Sequence, residues 1–194
     1  MRPKERMQAA VDDEVVRRAR EGDETAFRTL VLTHSRDVFR LAYRITRNEE
    51  DAEDTVQETF IRAYRKLSGF EARANFGTWL YRITANTAID LLRKKKRHEG
   101  RSAPLDEVEP GVPGGQEVLV FGRQVRERVD SALVSLSELE RAAFVLRHCD
   151  ELSLAEIAST LDITVSATKQ AIFRAVRKLR SALAPLRDVP RTAP

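Results

Sequence analysis

The chain has 194 residues and a formal net charge of +4, with 42% hydrophobic and 33% charged residues. This length suits one large domain or two small ones, and no stretch approaches the roughly 20 apolar residues that span a bilayer. The first residues lead into no apolar signal core, and the single cysteine, Cys149, excludes an internal disulfide framework. We therefore expect a cytoplasmic protein, and the runs of Ala, Leu, Glu, Arg and Lys favour helix.

Charged residues are unevenly distributed along the chain. A basic run occupies 93–97, and a second basic set lies between Lys169 and Arg180. The stretch from Glu49 to Glu58 is acidic and contains no Lys or Arg. Each run is also compatible with a solvated helix face, but together they suggest nucleic acid and a basic protein as partners.

Helical stripes run from about Asp12 to Arg97 and are broken by short polar turns. Gly22 and Asp23 are placed to end one helix and cap the next, and Asn48 marks the following stop. The predicted inward residues between these turns are Phe27, Leu30, Val31, Val38, Leu41, Ala42 and Ile45.

Two further helices are predicted in this half of the chain. One runs from about Glu50 to Leu67, a loop covers 68–75, and a long helix extends from about Gly77 to Arg97. The predicted inward residues of the long helix are Leu80, Ile83, Thr87 and Leu91.

Proline, glycine and acidic residues then interrupt the helical pattern over 98–122, which predicts a flexible linker. The helical period returns over 123–187. We therefore expect an all-α protein of two small helical domains, 11–97 and 123–187, joined by a flexible acidic linker. The ends, 1–10 and 188–194, are expected to be a flexible N-terminus and a short tail.

The second domain carries the signals of a helix-turn-helix. Ser153 and Glu156 form a capping box, and Leu152 and Ile157 are placed for a hydrophobic staple. The short helix turns at 162–164, where Asp tolerates a left-handed backbone better than most residues.

Thr164 is placed to cap a second, longer helix of this motif. A further capping box at Ser137 and Glu140 begins the preceding helix, which completes the core. The inward residues predicted for the longer helix are Val165, Thr168, Ile172, Val176, Leu179 and Leu183.

The outward face of that longer helix is suited to DNA. Near its N-terminus lie Ser166, Lys169 and Gln170, where Lys can donate to guanine and Gln can pair with adenine. Further along, three basic residues are placed to hold phosphates: Arg174, Arg177 and Lys178. An ordinary helical hairpin with a solvated cationic face is the alternative.

In the first domain, Asp54, Gln57 and Glu58 follow the i, i+3, i+4 pattern of one helix face. A stripe of acid and amide groups suits a basic helical partner, although a merely solvated face has the same pattern.

The strings from Asp54 to Tyr64 and from Phe76 to Asp90 resemble the second domain of the extracytoplasmic-function (ECF, group IV) sigma factors of the primary sigma family. The resemblance resumes from Leu136 to Leu183 as the fourth domain of that family. The resemblance implies that the chain is an RNA polymerase sigma factor. Such a subunit recognises promoters and promotes DNA melting, and it is not an enzyme.

The resemblance also implies partners. Asp54, Gln57 and Glu58 match the positions that dock on the clamp helices of the largest subunit of core polymerase. The acidic linker is similar to the segment that threads the active-site and RNA-exit channel. Members of this group are often held inactive by an anti-sigma factor, which is therefore a candidate partner. The expected location is the cytoplasm, on the nucleoid when the protein is in holoenzyme.

For the −10 element, Asn86 matches the residue that holds a flipped base, and 70–76 matches the loop that walls its pocket. Trp79 matches a wedge at the duplex end, although a core anchor is an equally good interpretation of this residue. The full set expected at −10 DNA is Phe70, Asn75, Phe76, Trp79, Arg82, Asn86, Arg93, Lys94, Lys95, Lys96 and Arg97.

For the −35 element, Lys169, Gln170 and Arg174 match the reading positions. Where the family commonly has Thr-Val-Lys-Ser-Arg, this chain has Ala-Thr-Lys-Gln-Ala over 167–171, so Ala171 removes a frequent basic contact. The −35 sequence is therefore expected to differ from the commonest ones.

Two other functions are alternatives to this one. A stand-alone regulator would use the same helix-turn-helix but would need a dimer interface or ligand pocket in the first domain. An enzyme would need a nucleophile with a base, or a metal site. Histidines are few, and the adjacent His148 and Cys149 point in different directions on a helix, so no catalytic residue, cofactor or metal is expected.

Overall fold

The computed structural model describes residues 13–70, 75–99 and 128–187. These residues form helices and turns and contain no strand. The helices are α1 (Asp13–Arg20), α2 (Glu24–Thr46), α3 (Glu49–Lys66), α4 (Phe76–Glu99), α5 (128–134), α6 (Glu138–His148), α7 (Leu154–Leu161) and α8 (Val165–Arg187), with a short 3-10 turn at Leu67–Gly69. We refer to α1–α4 as the N-terminal bundle and to α5–α8 as the C-terminal bundle.

Side-chain caps fix the helix starts in the N-terminal bundle. Gly22 adopts a φ of 95°, which favours glycine, and Asp23 then accepts a hydrogen bond from the Ala26 N–H at 3.0 Å. Asn48 accepts from the Asp51 N–H at 2.9 Å and so begins α3. Both predicted turns are confirmed, with boundaries within one residue of those expected.

The C-terminal bundle has the caps that the sequence predicts. Complete capping boxes begin α6 at Ser137 and α7 at Ser153. Asp162 adopts the left-handed conformation, with φ 53° and ψ 49°, and Thr164 accepts from the Ala167 N–H at 3.1 Å. Together α7, the tight turn and α8 form the predicted helix-turn-helix.

The predicted inward faces are largely correct. In α2 the residues Leu30, Val38 and Ile45 are fully buried, and in α4 Leu80 and Thr87 are buried while its other predicted inward residues are half-buried. Val165 was also expected to be buried, and this prediction is wrong because the residue is 42% exposed. It is the first residue of α8, where helical period alone does not decide whether a neighbouring helix covers the side chain.

The helix α4 ends later than the sequence predicts. The helix α4 continues through Glu99, so His98 and Glu99, which were expected to begin the linker, are helical. The remainder of the predicted linker, the N-terminus 1–10 and the tail 188–194 lie outside the described residues.

The two bundles pack against each other through α2 and α4 on one side and α6 and α7 on the other. One continuous cluster of buried apolar side chains runs from Val16 and Leu30 through Leu80 to Leu146 and Ile157. The faces of α4 and α7 that meet here therefore determine which candidate functional residues remain open to solvent.

Candidate functional site

The acidic stripe lies on one face of α3, as predicted. Asp54 and Gln57 are exposed, and the Glu58 side chain is 42% exposed. Glu58 Oε1 accepts from Arg62 Nε at 2.7 Å, and Arg62 also donates from Nη1 to Asp90 Oδ2 at 2.8 Å. These two carboxylates raise the pKa of the Arg62 guanidinium. The stripe is thus preorganised, with one acid paired and Asp54 open to a partner.

A cleft of about 780 Å³ lies between α3 and α4, beside this stripe. The α3 wall is acidic, with Asp51, Asp54 and Glu58, whereas the end of α4 contributes Lys94 and Lys95. Acidic groups therefore dominate the α3 wall of the cleft, where a basic side chain of a partner could pair with them.

The residues expected around the −10 pocket form an aromatic cluster at the start of α4. Phe70 and Phe76 are each 4% exposed, and the Trp79 ring centroid lies 4.9 Å from Phe70 and 5.6 Å from Phe76. Trp79 is half-buried, so it packs in this cluster while part of the residue stays exposed. Asn75 Oδ1 accepts from the Thr78 N–H at 3.3 Å and helps to begin α4. Residues 71–74 of the predicted loop lie outside the described residues.

Asn86, the predicted base reader, is half-buried between the two bundles. Its Nδ2 donates to the Arg82 carbonyl at 3.0 Å and to the Thr160 carbonyl of α7 at 2.8 Å. The side chain therefore lies on the predicted face of α4, beside exposed Arg82, but α7 covers it in this conformation.

The basic run at the end of α4 is exposed throughout. Lys95 Nζ lies 3.1 Å from Asp51 Oδ1, and Lys96 Nζ lies 3.4 Å from Glu138 Oε1 of α6. The remaining members of this run are Arg93, Lys94 and Arg97. The run thus contributes cations to the surface of α4 and also touches the other bundle.

The predicted −35 face is exposed on α8 at Ser166, Lys169, Gln170 and Arg177. The other two basic residues of the face meet Glu140 of α6: Lys178 Nζ at 2.7 Å and Arg174 Nε at 3.4 Å.

Burial would raise the pKa of Glu140, but its hydrogen bonds with Lys178 and Ser137 outweigh that effect and hold the pKa below its usual value. This carboxylate therefore fixes the orientation of α8 on α6, because it joins the capping box of α6 to two cations of α8.

Sequence reasoning missed Phe173, whose side chain is 66% exposed on α8. It follows Gln170 by three residues and precedes Arg177 by four, so it shares the outward stripe. This helical spacing from Gln170 and Arg177 was the signal in the sequence that could have identified Phe173.

A second group that the sequence did not reveal is the cluster of Arg44, Tyr81 and Asp150, in which side chains from both bundles meet. Arg44 and Asp150 are 106 positions apart, so no local pattern connects them.

The described residues contain neither a membrane-spanning helix nor a cluster of metal ligands. Across 13–70, 75–99 and 128–187, no helix combines the length and apolar character that crossing a bilayer requires. Nor does this part of the chain bring together three His, Cys, Asp or Glu side chains that could hold a metal ion.

Two family models match the chain: Sigma-70 region 2 over residues 30–98 and Sigma-70, region 4 over residues 126–179. The chain is 34% identical over 178 residues to the ECF RNA polymerase sigma factor SigW of Bacillus subtilis, covering 87% of this chain and 94% of that protein. It is 36% identical over 183 residues to the ECF RNA polymerase sigma-E factor of Escherichia coli, covering 90% and 95% respectively.

Among solved structures, CnrH in complex with the cytosolic domain of CnrY is similar, with a TM-score of 0.60, 28% identity, and coverage of 90% of this chain and 97% of that one. The sigma factor RpoE in complex with the anti-sigma factor NepR from Bartonella quintana has a TM-score of 0.59 at 23% identity, covering 81% and 96%, and supports the fold. The sequence relatives and both region matches show the family: this chain belongs to the ECF sigma factors, the RNA polymerase subunits that direct promoter-specific transcription.

Proposed function

We propose that the acidic stripe of α3 is the surface by which this sigma factor docks on the clamp helices of core RNA polymerase. Asp54 and Gln57 are exposed, and Arg62 holds Glu58 in place at 2.7 Å. Docking would form charge-assisted hydrogen bonds to a basic helix, and Glu58 is already held in place for one of them. This preformed stripe is the observation that carries the proposal.

The −10 element is read by α4. Melting DNA without ATP requires interactions that compensate for the lost base stacking. Stacking is worth about 1.4 kcal/mol per step on average. Holding one extruded base in a pocket and stacking others on aromatic rings can return a few kcal/mol. Asn86 has both a donor and an acceptor for a base edge, and Trp79 is a partly exposed member of the aromatic cluster. The run from Arg93 to Arg97 supplies phosphate contacts on upstream duplex.

The −35 element is read by α8 in the major groove. Ser166, Lys169 and Gln170 are exposed near its N-terminus, where such helices meet base edges. Phe173 adds an apolar contact suited to a thymine methyl group. Phosphates are contacted by Arg177, Arg174 and Lys178, of which the last two are oriented by Glu140.

The wider biology of the protein follows from this role. It acts in the cytoplasm and on the nucleoid as an initiation factor rather than as an enzyme, and it needs no cofactor or metal. The similar structures of CnrH and RpoE were solved with a bound partner protein, and the RpoE partner is an anti-sigma factor. An anti-sigma factor is therefore a further partner of this chain.

Transcription from a randomised promoter library tests the proposal. Purified core polymerase would be supplied with the library and with or without this protein, and the transcribed templates would be sequenced. We expect transcripts only when the protein is present, from templates that share two motifs separated by a fixed spacer. A stand-alone regulator would instead bind one specific duplex tightly without polymerase and would leave initiation by core unchanged.

A further inference from the structure

A buried carboxylate of the C-terminal bundle is held by two donors of the N-terminal bundle. Asp150, in the turn after α6, is fully buried. Its Oδ1 accepts from Arg44 of α2, and its Oδ2 accepts from the hydroxyl of Tyr81 of α4, which is 1% exposed. A buried charge is costly unless it is paired and hydrogen-bonded, so this arrangement favours one defined packing of the two bundles.

More polar contacts surround this group. Arg47, the residue that follows α2, pairs with Asp130 of α5. The buried Arg141 of α6 donates from Nη1 to the Thr46 carbonyl at 3.4 Å. These contacts flank a continuous apolar core, so the contact between the bundles has an apolar centre and specific polar pairs around it.

The same packing half-buries Asn86 and occupies its amide. Its Nδ2 donates to the Thr160 carbonyl at 2.8 Å, so the group proposed to read a flipped base already has a partner in α7. A base could take this position only after α7 had moved away from α4.

In the packed arrangement, the two proposed DNA-reading faces are also too close together to reach both promoter elements. Thr160, which touches Asn86, is nine residues from Lys169, a span of at most about 32 Å even for an extended chain. The −10 and −35 elements are about 25 base pairs apart, or roughly 85 Å at 3.4 Å per base. The two reading faces therefore cannot meet both elements together while the bundles are packed.

We propose that the free protein is closed by a latch of Arg44, Tyr81 and Asp150, which withholds Asn86 from DNA until the two bundles separate. The inference deepens the proposed function, because it rests on the assigned role of Asn86. The acidic stripe of α3 stays exposed in the closed form, so core polymerase can engage the protein before it opens. The 28 residues from 100 to 127 can span at most about 90–100 Å, which is enough for that separation.

Fluorescence energy transfer within the free full-length chain tests the latch. In a Cys149→Ser background, dyes would be placed at Thr33→Cys on α2 and Arg180→Cys on α8, both exposed positions. The parent would be compared with Tyr81→Phe, which retains the buried ring, and with Asp150→Asn. A matched carboxylate-to-amide control is Glu21→Gln, since Glu21 forms an exposed ion pair with Arg17 within the N-terminal bundle.

We expect high transfer in the parent and in the control. The closed chain keeps both dyes within a body whose radius of gyration is about 16 Å. Each latch variant should raise the ratio of open to closed molecules about tenfold, because it removes a hydrogen bond to a buried charge. Circular dichroism would verify folding, and Tyr81→Phe decides the result if Asp150→Asn does not fold.

Low transfer in the parent, or equal transfer in the parent and in a folded latch variant, would overturn the latch. The measurement contains neither DNA nor polymerase, so its failure differs from failure of the proposed function. If the latch is observed but Asn86→Ala opens promoters normally, the role of Asn86 is wrong and the closed state stands.

Discussion

The role of a single side chain in this protein depends on what lies opposite it. Asn86 donates to a carbonyl of α7 in the closed molecule, and the same Nδ2 is available to a base edge once α7 has left. The sequence placed Asn86 correctly on α4 beside Arg82, but it gave no indication that another helix covers it. Its partner lies 74 positions away, beyond the reach of any helical period.

Replacing Asn86 by Ala tests the base-reading role. We expect the rate of promoter opening to fall about tenfold or more, since a specific amide–base contact is worth about 1–3 kcal/mol. Affinity for core polymerase should stay within twofold of the parent. Permanganate reactivity of unpaired thymines and fluorescence anisotropy with core measure the two quantities, with the exposed Thr33→Ala as control. An equal loss of core affinity would contradict the assignment.

Reversing the charge at Glu58 tests the docking surface. Glu58→Lys places a cation beside Arg62 and towards a basic partner, so affinity for core should fall at least about tenfold. Glu21→Lys makes the same change of charge at an exposed position outside α3 and should leave core affinity unchanged. If the two variants bind core equally well, the stripe is not the docking surface.

His34 should make the N-terminal bundle sensitive to acid. It is 1% exposed, packs at 5.4 Å from the Phe76 ring, and neither ring nitrogen has a hydrogen-bond partner. Burial lowers its pKa below 6.5, although the nearby Asp37 opposes that shift. Below pH 6.5 the unfolded chain therefore binds more protons at this site than the folded chain, and stability falls with pH.

We expect the free energy of urea unfolding to decrease between pH 7.5 and pH 5.5 in the parent, and to decrease less in His34→Leu. The apolar substitute cannot take up a proton, so the difference between the two slopes reports this side chain. Identical slopes in both proteins would show that His34 does not titrate on unfolding.

At the scale of helices, the capping residues in the sequence predicted the starts of the helices correctly. The capping residues Asp23, Asn48, Ser137, Ser153 and Thr164 act through neighbours three positions away, so a short stretch of sequence contains the whole interaction. Errors arose at the ends of helices. Val165, the first residue of α8, has the right period for burial but is exposed, and α4 continues two residues past its expected end.

The cap of α7 offers a stability test at this scale. Ser153→Ala removes the acceptor for the Glu156 N–H, now 3.2 Å away, and should destabilise the protein by about 1 kcal/mol. Ser159→Ala, at an exposed position within the same helix, should be neutral or slightly stabilising because Ala has the higher helix propensity. Chemical denaturation measures both, and equal stabilities of the two variants would show that the capping box contributes little.

At the scale of the whole molecule, the all-α fold, the helix-turn-helix and the acidic stripe could be predicted from sequence. The packing of the bundles on each other could not. It depends on pairs such as Arg44 with Asp150 and Arg47 with Asp130, which are 106 and 83 positions apart. Such pairs carry no periodic signal, and each member alone has the pattern of an ordinary charged surface residue.

The most direct test of the account follows the separation of the bundles during initiation. The dyes at Thr33→Cys and Arg180→Cys would be monitored on adding core polymerase and then a promoter selected from the library, while permanganate reports DNA opening. The account predicts high transfer in the free protein and a loss of transfer no later than DNA opening, because the reading faces must move to about 85 Å apart. Transfer that stays high while the promoter opens would contradict it.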